Sequence, residues 1–528
     1  MKVAIDVVPI RNTGEMGGAF QTVIELIKGL AVQNTQDQYF LLTADWNHEY
    51  FGQFEKYGIQ RILVHSAKPA SELKFSQNRY INKIRNILAR LMGRAKKMGL
   101  IGGSILRERS IDVLFCPMSA ISYAEPGIPT VSIIYDLQHE YYPQFFADEE
   151  LQHRRNFYNG IGELADYVAC ISTFTKNSFV ELLNFPIERA EVIPISIHNR
   201  EGVITPSERQ SVLEKYKLSN HTYLYYPANY WPHKNHRMLL VALAMYTKKY
   251  PEQDLHLCLT GSQLDRDEEF QEMLRQMGLS NRVHHLGYVT DREVVSIMSC
   301  SSGLIFPSLF EGFGIPVAEA MSLGVPVLCS NNTSLPEVGG DAVCYFDPRR
   351  PEEMVEKMHA VIHDVELRNC LIDKGFKQVV KFDEDQMVKQ YHTLLSRAAQ
   401  TKTKRRYAIT GIYQDNWTGR SVSVELEEAE GIRLLIAVLH LPEVQPNKEV
   451  KIKIIIGQLV KQITIHSGET YKLEEEITDS AVSVTIDINE TFVPSQIGIP
   501  DERELGIQIS VLSIMDGNGQ VKSLHGKE

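Results

Sequence analysis

The stretch Phe306-Pro307-Ser308-Leu309-Phe310-Glu311-Gly312-Phe313-Gly314-Ile315-Pro316-Val317-Ala318-Glu319-Ala320-Met321 reads as a strand end, a glycine-bearing loop and a helix start. Proline suits a first helical turn, and Gly324 suits the position after the last. A strand–loop–helix unit of this kind turns free backbone N–H groups and the positive end of the helix dipole toward whatever lies over the loop. That is an anion site, suited to phosphate. Gly312 and Gly314 let a ligand approach the backbone closely. Glu311 and Glu319 bracket the loop and would repel phosphate at close range. They make more sense accepting hydrogen bonds from hydroxyl-rich groups on either side, such as a sugar and a ribose.

Outward from this unit, residues 1–400 alternate short apolar runs with amphipathic helical stretches. The runs include Val3–Val7, Val113–Cys116, Val131–Tyr135, Tyr223–Tyr226, Leu255–Leu259 and Val325–Leu328. Continuous apolar strands separated by helices indicate parallel sheets covered on both faces. There are too many for one ordinary doubly wound sheet, so two domains are expected, 1–200 and 201–400; a (β/α)8 barrel is the competing layout. After Gln400 the basic linker Thr401–Arg406 leads into period-two alternation, as in Val422, Val424 and Leu426 or Ile507, Ile509 and Val511. That pattern predicts an all-β sandwich over 407–528.

Composition narrows the function classes. Of 528 residues, 43% are apolar and 23% charged, and 55 basic against 66 acidic residues give a net charge of −11, which argues against nucleic acid as a partner. No apolar run is long enough to span a membrane, and Met1–Pro9 reads as an opening strand, not a signal peptide. Seven cysteines without a CxxC pair fit free thiols in a reducing cytoplasm.

At this point a resemblance becomes specific. Glu311–Glu319 resembles the E-x7-E signature of retaining glycosyltransferase family 4, which has the GT-B fold. Gly324-Val325-Pro326-Val327, Leu335–Asp341 and the upstream Tyr226–Asn235 are similar to the same family in order and spacing. The resemblance implies two Rossmann-like doubly wound domains facing across a cleft, and a nucleotide-sugar donor in the second. It implies donor-sugar contact by Glu311, ribose contact by Glu319 and leaving-group stabilisation on the diphosphate by Lys234. Many family members carry an arginine where this chain has Asn229, which throws more of that work onto Lys234 and the amides of Gly312, Phe313 and Gly314. Gly14, Gly17 and Gly18 resemble the family's first glycine loop, and Gly17 and Gly18 are expected to face the donor. Tyr135-Asp136-Leu137-Gln138-His139 resembles the acceptor-side segment, with Tyr135 where a histidine is usual. A phenol of pKa ~10 is a poor general base, so Asp136 or His139 is the candidate for that role. Ser172 and Thr173 fit a helix cap.

The implied reaction is retaining transfer of a hexose or deoxyhexose to a glycan or lipid-linked acceptor in bacterial surface polysaccharide synthesis. A sugar-nucleotide epimerase or phosphorylase of the same fold, and an inactive glycan-binding scaffold, are the alternatives. No cofactor and no metal are expected. Asp265-Arg266-Asp267 spells a D-x-D but fits an ordinary helix start, His233 and His236 lack a third ligand nearby, and His284-His285 falls on a strand that packs or lines the base region. The segment 74–109 carries ten basic residues against Glu108, with Ile81, Ile84, Ile87, Leu88 and Leu91 at helical spacing. It is a candidate for contact with an anionic membrane surface, giving a cytoplasmic protein peripheral at the inner face of the cell membrane. Beyond Gln400, Asp415–Gly419 and Phe492–Gly506 resemble a β-domain appended to some bacterial glycan transferases, with Trp417 a candidate for stacking on a sugar or for the core.

Overall fold

Runs of branched and aromatic residues, buried on both faces, build two parallel sheets. The computed structural model describes residues 1–11, 17–65, 105–125, 127–197, 204–261, 268–401, 407–412, 416–426, 432–443, 445–477, 483–494, 504–516 and 521–525. The first sheet holds β1 (Lys2–Asp6), β2 (Gln38–Ala44), β3 (Gln60–His65), β4 (Val113–Cys116), β5 (Thr130–Ile134), β6 (Tyr167–Cys170) and β7 (Ala190–Val192), in the order β3-β2-β1-β4-β5-β6-β7. The second holds β8 (Thr222–Pro227), β9 (Leu255–Thr260), β10 (Val283–His285), β11 (Gly303–Phe306), β12 (Val327–Ser330) and β13 (Cys344–Phe346), in the order β10-β9-β8-β11-β12-β13. Every described pairing in both is parallel.

Each sheet reverses its winding once, between β1 and β4 and between β8 and β11. Such a switch point leaves a crevice at the carboxyl ends of the two strands, where open α/β sheets bind ligands. The strand–loop–helix unit over 306–321 lies there: β11 ends at Phe306, and its neighbour β8 ends at Pro227.

One helix does not stay with the sheet it follows. Glu384–Ala399, inside the stretch read as the second domain, crosses back onto the first sheet. Tyr391 packs on Phe115 (ring centroids 5.7 Å apart), His392 Nε2 pairs with Asp37 Oδ2 at 2.7 Å, and Gln33 Nε2 donates to Asp385 Oδ1 at 2.7 Å. Its Val388 lies where a Cβ on Gly29 would stand, so the two helices approach closely.

The chain ends in two antiparallel sheets. One has β14 (Tyr407–Ile412), β15 (Thr418–Leu426), β17 (Glu449–Ile456), β18 (Leu459–His466) and β20 (Ser483–Ile488). The other has β16 (Ile432–His440), β19 (Thr470–Glu476), β21 (Gln508–Asp516) and β22 (Val521–His525). Alternate residues Val450, Ile452, Ile454 and Ile456 are buried with Val422, Val424, Leu435, Ala437 and Leu439, as period-two patterning requires. Trp417 meets Phe492 edge-on, with ring centroids 5.6 Å apart.

All seven cysteines are free. No helix among the described residues is long and apolar enough to cross a membrane. Most of the basic segment lies outside the described residues, only Ile105–Glu108 forming a short helix. Gly14, Asp265-Arg266-Asp267 and Asp415 also lie outside them.

Candidate active site

Two loops meet above the β8–β11 switch point. After β8 the chain turns through Asn229 and Tyr230 into the short 3-10 turn Pro232–Lys234. Asn235, in the left-handed region at φ 61°, ends that turn and donates from Nδ2 to the carbonyls of Pro307 (3.1 Å) and Pro348 (2.8 Å). Asparagine tolerates this conformation better than most residues. Tyr226 donates to the Lys234 carbonyl at 2.8 Å, and Leu309 N donates to the His233 carbonyl at 2.7 Å. The two loops are thereby fastened to one another.

The result is an ion pair. Lys234 Nζ lies 2.7 Å from Glu311 Oε1, the side chains 15% and 12% exposed, with the ammonium over the Phe306 ring. Glu311 is held from behind: its amide donates to Thr333 Oγ1 (3.1 Å), and Ser334 Oγ donates to the Glu311 (3.0 Å) and Phe313 (3.1 Å) carbonyls. Thr333 and Ser334 belong to none of the sequence motifs above. Their signal was position, directly beyond β12 on the same edge of the sheet.

The helix Ile315–Ser322 begins here. Gly314 caps it at φ 101°, and a Cβ there would stand 2.5 Å from Leu335 Cδ2, so glycine is required twice over. Glu319 is buried inside this helix. Phe313 turns its ring into the core against Phe382 (5.3 Å), which leaves its backbone as the part facing the loop. Asn229 is half-buried at the end of β8. Burial depresses His233 to about 4 and His236 to about 3, with the Lys234 charge acting in the same direction, so both are neutral near pH 7.

The first domain closes over this loop. A Cβ on Gly312 would stand 2.1 Å from the Tyr135 carbonyl oxygen. Phe310 inserts among Tyr141, Tyr142 and Phe174, its ring centroid 5.4, 6.2 and 5.8 Å from theirs. Arg349 Nη2 donates to Tyr142 Oη at 2.9 Å, and the amides of Thr173 and Phe174 donate to the Glu337 carboxylate at 3.0 and 3.3 Å. Ser172 caps the helix Thr173–Leu183, as its sequence suggested, with Oγ accepting from Thr175 N.

The acceptor-side candidates separate. Asp136 Oδ1 accepts from Gln138 N at 2.9 Å; burial raises its carboxyl above the usual range, with Glu311 raising and Lys234 lowering it among the smaller influences. Tyr135 instead turns its phenol back to the Pro117 carbonyl at 2.8 Å. His139 is buried, stacks on Tyr158 (5.0 Å, 19°) and borders a separate cavity of about 210 Å³ with Glu140, Arg155 and Asn159. Burial lowers its pKa, and its charged neighbours are Glu140, Arg154 and Arg155. The structure thus brings Asp136, not His139, toward the Lys234–Glu311 pair. Gly17 and Gly18 open the helix Gly17–Gln33, which follows β1.

Two Rossmann-like domains joined in this way are the GT-B fold. The solved structure of Anabaena Alr3699/HepE in complex with UDP and glucose superposes with a TM-score of 0.54 at 18% identity, over 75% of this chain and 100% of that one. WaaG, a glycosyltransferase involved in lipopolysaccharide biosynthesis, gives 0.50 at 16% over 75% and 99%. Residues 209–378, which hold the whole of the second-domain site, match the family model described as Glycosyl transferases group 1. Among curated relatives, O-antigen chain mannosyltransferase B of Escherichia coli is 30% identical over 244 residues, 46% of this chain and 63% of that protein. Serotype-specific mannosyltransferase WbdA of Escherichia coli is 29% identical over 234 residues, 43% of this chain and 29% of that protein. The chain therefore spans less than two thirds of the length of either.

Proposed function

We propose that this protein is a retaining glycosyltransferase that moves a mannosyl residue from a nucleotide-sugar to a growing bacterial surface polysaccharide. The observation that carries the reading is the Lys234–Glu311 pair at the switch point, beside the start of the helix Ile315–Ser322. A lysine ammonium and free backbone amides can share the charge of a departing diphosphate, and no metal is needed for that. Glu311 is placed to accept from a sugar hydroxyl once the ammonium turns to phosphate, and Glu319 reads the ribose. Asp136 is the group on the acceptor side that can take a hydroxyl proton, its raised carboxyl being a better base than an ordinary aspartate. Retention rests on the family resemblance. The sugar rests on the relatives, among them an O-antigen chain mannosyltransferase of Salmonella typhimurium.

The test is nucleotide release from GDP-mannose, UDP-glucose, UDP-galactose and dTDP-rhamnose, each with and without a mannan-type lipid-linked acceptor. GDP release that requires acceptor supports the reading. Conversion of the sugar nucleotide without acceptor identifies an epimerase, and no turnover of any donor overturns the proposal.

A further inference from the structure

On the edge of the second sheet opposite the Lys234–Glu311 loops, three histidines converge. His221 precedes β8, while His256 and His284 are the second residues of β9 and β10, so parallel pairing sets all three at the amino ends of adjacent strands. One ring nitrogen of each lies within 4.8 Å of the others. His256 Nδ1 and His284 Nε2 are 2.9 Å apart, and the His221 ring lies 3.9 Å, centroid to centroid, from that of His256.

We propose that His221, His256 and His284 form a binding site for a zinc-class divalent metal ion, remote from the donor site. Two imidazole nitrogens on one such ion, at about 2.0–2.1 Å each in a tetrahedral site, stand about 3.3–3.4 Å apart, which the 2.9 Å between His256 Nδ1 and His284 Nε2 reaches with a small turn of the rings. The second shell fits too. Asp254 Oδ1 stands 3.2 Å from His256 Nε2, so a carboxylate lies behind the ring whose Nδ1 turns to His284. A carboxylate behind a ligating histidine fixes its tautomer and raises its basicity. Arg282, whose Nη1 lies 3.3 Å from Asp254 Oδ1, works against a cation here, so the three imidazole nitrogens must carry the binding. This departs from the sequence expectation of no metal. The three histidines belong to separate strands, and no local motif announces them.

The test uses the full chain without a histidine tag, stripped with chelator, exposed to Zn²⁺ and desalted. Metal analysis is expected to find close to one zinc per chain, with a raised Tm, and Co²⁺ in its place should give visible absorption. His284→Gln should lose the ion, the Tm rise and the cobalt spectrum. His221→Gln, in the half-exposed loop before β8, should do the same and guards against a folding defect in the strand variant. Nucleotide binding should be unchanged in both. Wild-type protein that takes up no more zinc than the two variants overturns the proposal.

Discussion

Lys234 Nζ and Glu311 Oε1, 77 residues apart in sequence, stand 2.7 Å apart on loops that leave two neighbouring strands. In the free protein each neutralises the other. On the proposed role, a diphosphate arriving over the helix start would compete for the ammonium and free the carboxylate, so donor binding would break one strong contact to make two. Lys234→Ala is expected to lower kcat about 100- to 1,000-fold, the usual cost of removing one transition-state charge partner. Glu311→Ala should fall at least as far, while circular dichroism shows the fold kept. Turnover within tenfold of wild type in either variant refutes the assignment.

Gly312 and Tyr135 define how closely the domains pack. The contact of a Cβ at 312 would be with a backbone oxygen, which cannot rotate away. Gly312→Ala must therefore push the first domain back from the Glu311–Gly314 loop. Small-angle scattering should show a larger radius of gyration, and transfer should drop about tenfold or more, as misplacement of reacting groups does. A variant with wild-type dimensions and rate would mean that the domains do not work in this closed arrangement.

The local unit at 306–321 was legible because glycine and proline punctuate it, and so was the sandwich, because period two leaves its mark on every strand. Pairings across the fold were not. Nothing in the segment Tyr226–Asn235 says that β8 lies beside β11, and only that adjacency joins Lys234 to Glu311. The helix Glu384–Ala399 is amphipathic in sequence, but amphipathicity does not say which sheet receives it. His139 drew attention as a titratable residue after a strand, yet its ring is spent on Tyr158. Most of the segment 74–109, on which membrane contact was expected, lies outside the described residues.

Glu337 bridges the domains from the second to the first, accepting from the exposed amides that open the helix Thr173–Leu183. An anion on such amides is worth about 0.3–1 kcal/mol at an exposed site. Glu337→Gln should keep the shape and lose most of that. The expected outcome is a small fall in Tm with a larger rise in the donor KM, since closure then depends on the ligand. An unchanged KM would show that this contact does not bias closure.

Asp6, at the end of β1, is fully buried, and burial raises its carboxyl from 3.8 to about 7 although Oδ1 accepts from Val8 N at 3.1 Å. Folding therefore favours the protonated acid. Its contribution to stability is complete below about pH 4, where the unfolded chain is protonated as well, and is lost as the pH rises to about 7, because over that span the unfolded state binds fewer protons. Asp6→Asn retains an acceptor for Val8 N and cannot ionise. Whatever fixed cost the amide brings, the stability difference between variant and wild type should shift in the variant's favour between about pH 5 and pH 7 and then level off. Urea unfolding across that range measures it, and a difference that stays constant with pH would mean that Asp6 remains ionised in the folded protein.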